Sequence, residues 1–251
     1  MVVYTIFVFI LGLIIGSFLN VCIYRIPREE SISYPPSNCT GCNSNIMWYD
    51  LIPVLSYIIL RGKCRHCREK ISIQYPIVEV LTGVLFTLIY LEFDFTYRFF
   101  FFTILTAVLI VTGFIDYYTE YIYEKVSIVG LILAVGYVGY QFYLGEAYGN
   151  LILGGLICSG VIAVFAIFKA MGWGDVELAL MCGLFLGVYK GVLMLIIAVL
   201  LGGIVGSIIL IRRKDKSERT MAFGPYIGIG GYIALVYGDY ILEFLKNYYG
   251  F

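Results

Sequence analysis

Apolar residues occupy this chain in long blocks that cover every face of a helix, not in the alternation of a half-buried strand or the stripe of a soluble helix. A bilayer core about 30 Å thick takes about 20 helical residues to cross. Blocks of that order lie near 3–22, 77–93, 98–115, 126–145, 151–169, 173–189, 191–211 and 224–243. They predict an all-α, polytopic membrane protein with about eight transmembrane helices. The one extended polar stretch divides the chain into a first transmembrane span at 1–22, a cytoplasmic loop domain at 23–76 and a helical membrane core at 77–251. Between Leu178 and Ile211 only Lys190 interrupts the apolar run. Two crossings leave only residues 178–189 as a clean first segment, too short to span at 1.5 Å per residue. That segment borrows the residues before it or re-enters the membrane, and either way Asp175 is drawn to the membrane rim.

Composition strengthens this picture. Of 251 residues, 61% are hydrophobic and 14% charged, against about half and about a quarter in soluble domains. A water-borne chain of this length would have to expose the surplus, so the lipid bilayer is its first partner. Seventeen basic residues balance seventeen acidic ones, which leaves no global field to recruit nucleic acid. The distribution of the basic residues is more telling. Arg25, Arg28, Arg61, Lys63, Arg65, Arg68, Lys70, Lys125, Lys169, Arg212, Arg213, Lys214, Lys216 and Arg219 follow the first, third, fifth and seventh blocks, whereas Arg98, Lys190 and Lys246 lie on the other side. Basic loops stay cytoplasmic, so both termini are expected to face outward. The first block has neither a basic leading region nor a small-residue cleavage site, and reads as a retained anchor.

The polar stretch carries Cys39, Cys42, Cys64 and Cys67, two C-x-x-C pairs separated by 21 residues. Four thiolates at this spacing suit tetrahedral Zn2+, and a reducing cytoplasm favours metal over disulfide. The expectation is a small zinc-ribbon-like insert with a structural zinc, ahead of four free thiols or a redox pair. His66 reads as an exposed loop residue, and Cys22, Cys158 and Cys182 as buried small apolar side chains.

Two carboxylates stand apart from the loop acids. Asp116 ends the apolar run 99–115, and Asp175 follows Gly172-Trp173-Gly174, both at cytoplasmic helix ends. Ionisable groups at membrane depth are costly and are functional candidates by default. Two such groups brought together would divide one proton, so that the ionised member takes a proton from water while the other polarises a peptide carbonyl. The plainer alternative is that each caps a helix. Glu120 and Glu124 read as solvated loop charges, Glu177 as facing away from Asp175, Asp239 and Glu243 as interfacial, and Glu79 as facing either the insert or the site.

The residues also resemble a known family, the type IV prepilin peptidases (prepilin leader peptidase and N-methyltransferase), a group of GxGD-type intramembrane aspartic proteases. The segment from Gly16-Ser17-Phe18-Leu19-Asn20 to Ile26-Pro27 is similar to its first-span signature. Pro35–Cys42, Ile46–Pro53 and Leu60–Cys67 resemble its zinc-binding loop, and Ile71–Pro76, Glu79 and Leu81-Thr82-Gly83 the entry to its second span. Asp175 in Gly172-Trp173-Gly174-Asp175 matches the G-x-G-D aspartate, Asp116 the first catalytic aspartate, and Phe223-Gly224-Pro225 the F-G-P element. The chain departs from the family at Ile122-Tyr123-Glu124, where Ile-Pro-Asp is usual, at Glu177, where Lys is common, and at Ala222, where Pro often stands.

The resemblance implies an inner-membrane aspartic endopeptidase with Asp116 and Asp175 catalytic, which removes the leader of type IV prepilins, or of the pseudopilins of protein secretion, on the cytoplasmic side. It also implies methylation of the new N-terminus from S-adenosylmethionine, for which the residues give no independent sign and no binding residues. Two rivals come from other classes. One is a proton- or ion-coupled transporter, which predicts inverted repeats that are not seen. The other is a membrane scaffold whose zinc loop binds a partner.

Overall fold

The computed structural model describes residues 1–212 and 221–249. Arg213, Lys214, Lys216 and Arg219, expected in a basic loop, lie outside the described residues. Among these residues the chain is helical with no strand, and seven helices are long and apolar enough to cross a membrane. The protein is a multi-pass membrane protein. It divides into two units, residues 1–111 and 112–251.

In the first unit, α1 (Val2–Arg25) runs without a charge until its last residue, and Pro27 then allows only a short 3-10 turn, Ile26–Arg28. Residues 29–73 form the insert, with one short helix, α2 (Leu55–Ile59). The chain re-enters helix at α3 (Gln74–Phe93), where Pro76 sits in the first turn. Helices α1 and α3 are antiparallel, because Gly12 lies against Gly83, Gly16 against Glu79, and Asn20 Nδ2 donates to the Tyr75 carbonyl at 3.0 Å. Small residues four apart let the backbones approach closely. The first turns of α4 (Tyr97–Thr119) fold back on α3 through an aromatic cluster, with Phe93 and Phe102 ring centroids 4.9 Å apart. No buried apolar side chain falls between Ile23 and Val78. The insert therefore has no core of its own.

The second unit holds the end of α4, then α5 (Glu124–Tyr143), α6 (Tyr148–Ile167), α7 (Trp173–Arg212) and α8 (Gly224–Tyr249). Helix α7 is broken at Gly187, whose φ of 71° and ψ of −174° are not helical. A Cβ on Gly191 would stand 3.9 Å from the Gly183 Cα, although eight residues of straight helix separate points about 12 Å apart. The chain thus doubles back at Gly187. Asn150 of α6 steadies the turn by accepting the Val188 N–H at 3.4 Å. Among the described residues, seven helices long and apolar enough to cross stand where eight were expected, because the blocks 173–189 and 191–211 belong to one element broken at Gly187. The first arm, 173–186, is about 21 Å long, short of a full crossing, as its apolar length foretold. Helix α8 packs antiparallel to the second arm, with Gly230 on the Met194 carbonyl and Lys190 Nζ bound to Asp239 Oδ2 at 2.7 Å. The aromatic rings of Tyr137 on α5 and Phe185 on the first arm stack at 4.8 Å.

Candidate active site

Three helix ends meet at one end of the second unit. Helix α4 closes at Thr119 after bringing Asp116 into its last turn, and Glu120 N–H bonds back to the Asp116 carbonyl at 2.7 Å. Helix α7 opens with Asp175 in its first turn, and α8 opens at Gly224. Both aspartates are buried, Asp116 at 4% exposure and Asp175 at 7%. One side chain from the connection between α4 and α5 joins them. Ile122 packs against both glycines, such that a Cβ on Gly174 would stand 2.6 Å from the Ile122 Cβ and one on Gly224 3.3 Å from its Cδ1.

Each carboxylate is held by one oxygen. Asp116 Oδ2 accepts the Gly224 N–H at 2.8 Å, and Asp175 Oδ2 accepts the Gly172 N–H at 3.0 Å. The second contact is the backward half of a capping box, with Asp175 three residues past the cap. The capping role is therefore present in the structure, but it occupies only Oδ2. Neither Oδ1 has a protein donor among the described residues. A Cβ on Gly224 would lie 2.7 Å from Asp116 Oδ2, so any side chain there displaces the carboxylate.

The surroundings suit a membrane rim. Tyr117, Tyr118, Tyr121 and Trp173 are more than half exposed near the two aspartates, and amphipathic aromatics favour the membrane–water interface. Ile122 and the Gly172 and Gly224 amides are the residues that sequence reading did not single out for this site. Their signal was faint: Ile122 keeps the first residue of an element from which Tyr123 and Glu124 depart, and a backbone amide has no signature of its own. Lys190 and Asp239 pair fifteen residues along α8 from Gly224, about 23 Å away, well removed from the aspartates.

The four cysteines come together in the first unit. Their Sγ atoms lie within 4.8 Å of one another, and Cys39 and Cys67 are 3.7 Å apart. A tetrahedral Zn2+ with bonds of about 2.3 Å spaces its sulfurs by about 3.8 Å, so the donor set and its geometry fit that ion. The two knuckles have the same construction. Cys39 N–H bonds to the Ser44 carbonyl and Cys64 N–H to that of Glu69, with Asn43 at φ 55° and Arg68 at φ 63° turning each loop. Antiparallel bridges close them at Asn38–Asn45 and Lys63–Lys70. The Ser44 hydroxyl and amide hold the Cys42 thiol down to about 6. His66 is exposed and outside the cluster, while Cys22, Cys158 and Cys182 are buried. Glu79 faces the insert, with Oε2 accepting the Val54 N–H at 2.8 Å.

Comparison with known proteins bears on both sites. The family model described as Bacterial Peptidase A24 N-terminal domain matches residues 10–93, and that of the Type IV leader peptidase family matches residues 103–207. The chain is 32% identical to a prepilin leader peptidase/N-methyltransferase of Pseudomonas putida, covering 96% of this chain and 93% of the relative. A protein of the same name from Neisseria gonorrhoeae is 33% identical over 92% of this chain and 89% of its own, and one from Aeromonas hydrophila 31% over 96% and 93%. No solved structure matches. These findings lend nothing to the transporter reading.

Proposed function

We propose, for a chain that belongs to the type IV leader peptidase family, that Asp116 and Asp175 are the catalytic pair of an aspartic endopeptidase that removes the leader of type IV prepilins or pseudopilins. The ionised carboxylate takes a proton from a water molecule as that water attacks the scissile carbonyl. The protonated one donates to the carbonyl oxygen, and the proton gained by the first then passes to the leaving amine. The Gly172 and Gly224 amides fix one oxygen of each carboxylate and leave the other for water and substrate. The observation that supports this reading is two buried carboxylates, each held by a backbone amide, at helix ends whose Gly174 and Gly224 both pack on Ile122. Residues 1–22 act as an anchor span, 23–76 as the zinc-binding loop domain and 77–251 as the peptidase core, in the inner membrane with the aspartates toward the cytoplasm.

Cys39, Cys42, Cys64 and Cys67 hold a structural Zn2+ that takes no part in the chemistry. The names of the relatives support a second activity, N-methylation of the new N-terminus from S-adenosylmethionine. The described residues have no glycine-rich turn between strand and helix of the soluble nucleotide-binding kind, and no step is assigned to that donor. The test is incubation of purified protein in detergent with a prepilin, read by mass spectrometry for leader loss and a methyl increment. Asp116→Asn and Asp175→Asn should each lower cleavage at least ~10²-fold, the usual scale for general acid–base groups, with helix content and zinc unchanged. Cleavage that survives either substitution would sink the assignment.

A further inference from the structure

The insert holds an anomaly that zinc does not explain. From Met47 to Leu60 the chain carries a single charged side chain, Asp50, amid Trp, Leu, Ile, Val and Pro. These apolar groups are not folded inward: Trp48 is 78% exposed, Leu55 58%, Ile58 63% and Ile59 73%. In water such a run would be an aggregation liability. Polar side chains are instead concentrated in the two knuckles, residues 38–45 and 63–70, which lie on either side of it.

The position of this segment along the transmembrane helices explains the exposure. Val54 donates its N–H to Glu79, and Glu79 lies against Gly16 of α1. Gly16 is nine residues before Arg25, about 14 Å down α1, and Glu79 is five residues into α3, about 8 Å. The segment does not stay above the helix ends. It also borders a groove of about 600 Å³ against Phe9, Ile10 and Ile14 of α1 and Val80 of α3, and Ile10 and Ile14, each about half exposed, belong to the lipid-facing side of α1. The groove thus continues a surface that the membrane already covers.

Membrane depth demands that every backbone group and charge be satisfied inside the protein. The segment meets much of that demand with bonds of its own. The N–H groups of Asp50, Leu55, Ser56, Ile58 and Leu60 bond within the segment, and the N–H of Val54, held at a positive φ of 61°, goes to the buried Glu79 carboxylate. Asp50, the lone charge, is paired in two-pronged fashion with Arg65 of the second knuckle at 2.8 and 2.6 Å.

We propose that residues 47–59 form a membrane-dipping segment whose apolar side chains lie among the acyl chains of the leaflet nearest the cysteine knuckles, with Glu79 as the positioning residue that pins it at depth. The knuckles are thereby held flat against the membrane surface. This inference stands on α1 and α3 as membrane spans and is independent of the aspartate assignment.

The chain has two tryptophans, so full-length protein carrying Trp173→Phe reports on Trp48 alone. It is reconstituted into phosphatidylcholine–phosphatidylglycerol vesicles, with or without bromine on the acyl chains. Brominated lipid should quench Trp48 emission at least about twofold, while aqueous acrylamide has little effect, in the absence of any substrate. Unchanged emission in brominated vesicles together with full acrylamide quenching overturns the proposal. So does bromine quenching that arises only once a prepilin is added, since the groove would then belong to the substrate. In protein that retains its zinc, Glu79→Ala should move Trp48 toward acrylamide, and Glu79→Gln, which keeps an acceptor oxygen, should not. A Trp48 indifferent to both refutes the positioning role.

Discussion

At Gly224 a hydrogen atom in place of a methyl group decides whether Asp116 keeps its backbone donor. A Cβ would approach Asp116 Oδ2 to 2.7 Å and Cγ to 3.3 Å, so the carboxylate must swing off the Gly224 N–H to which it bonds at 2.8 Å. Gly224→Ala should reduce leader cleavage about 10- to 100-fold, the range for a lost hydrogen bond to a charged group, with zinc content unaltered. Assay of the variant beside Asp116→Asn checks this, and a fully active Gly224→Ala would show the contact to be dispensable. The F-G-P element was legible as a motif. Its purpose was not, because the acceptor lies 108 residues away in the chain.

At the level of elements, α7 is the instructive case. Its apolar run implied two crossings with too few residues for the first, and the break at Gly187 resolves that tension by folding the chain back on itself. A positive φ costs an ordinary residue about 1–2 kcal/mol, and a Cβ here would also meet Asn150 Nδ2 at 2.6 Å. Gly187→Ala should therefore destabilise the protein by at least about 1 kcal/mol, seen as a lower midpoint of thermal unfolding in detergent. An unchanged midpoint would mean that the turn tolerates a side chain. The position of the break could not be read from the sequence, since Gly183, Gly187 and Gly191 all stand at similar spacing in the same apolar run. Asn150, brought in by α6, distinguishes the middle one.

For the whole molecule, the insert is the part that cannot hold itself together. With no buried apolar side chain from residue 24 to 77, its order depends on the cysteine knuckles and on contacts with α1 and α3. Small units without a core need such a staple. Metal analysis of purified protein should give about one zinc per chain. Cys39→Ser and Cys64→Ser, one from each knuckle, should each lower that ratio, and equal zinc in wild type and both variants would exclude the tetrad as its site. Arg65 links this staple to the apolar segment through Asp50, so loss of zinc should also disturb Trp48.

What the sequence determined by itself were the properties that depend on near neighbours in the chain. Partition of an apolar block into a bilayer and chelation by two C-x-x-C pairs are both written into a few dozen consecutive residues. Helical class, membrane residence and the cysteine tetrad were accordingly legible, as was the candidacy of Asp116 and Asp175. Tertiary structure alone decided which backbone amides hold those carboxylates, that Ile122 packs on both Gly174 and Gly224, where α7 turns, and that Glu79 reaches Val54. Each of these is a contact between segments far apart in sequence, fixed by how helices pack against one another, and a local pattern of residues carries no record of that packing.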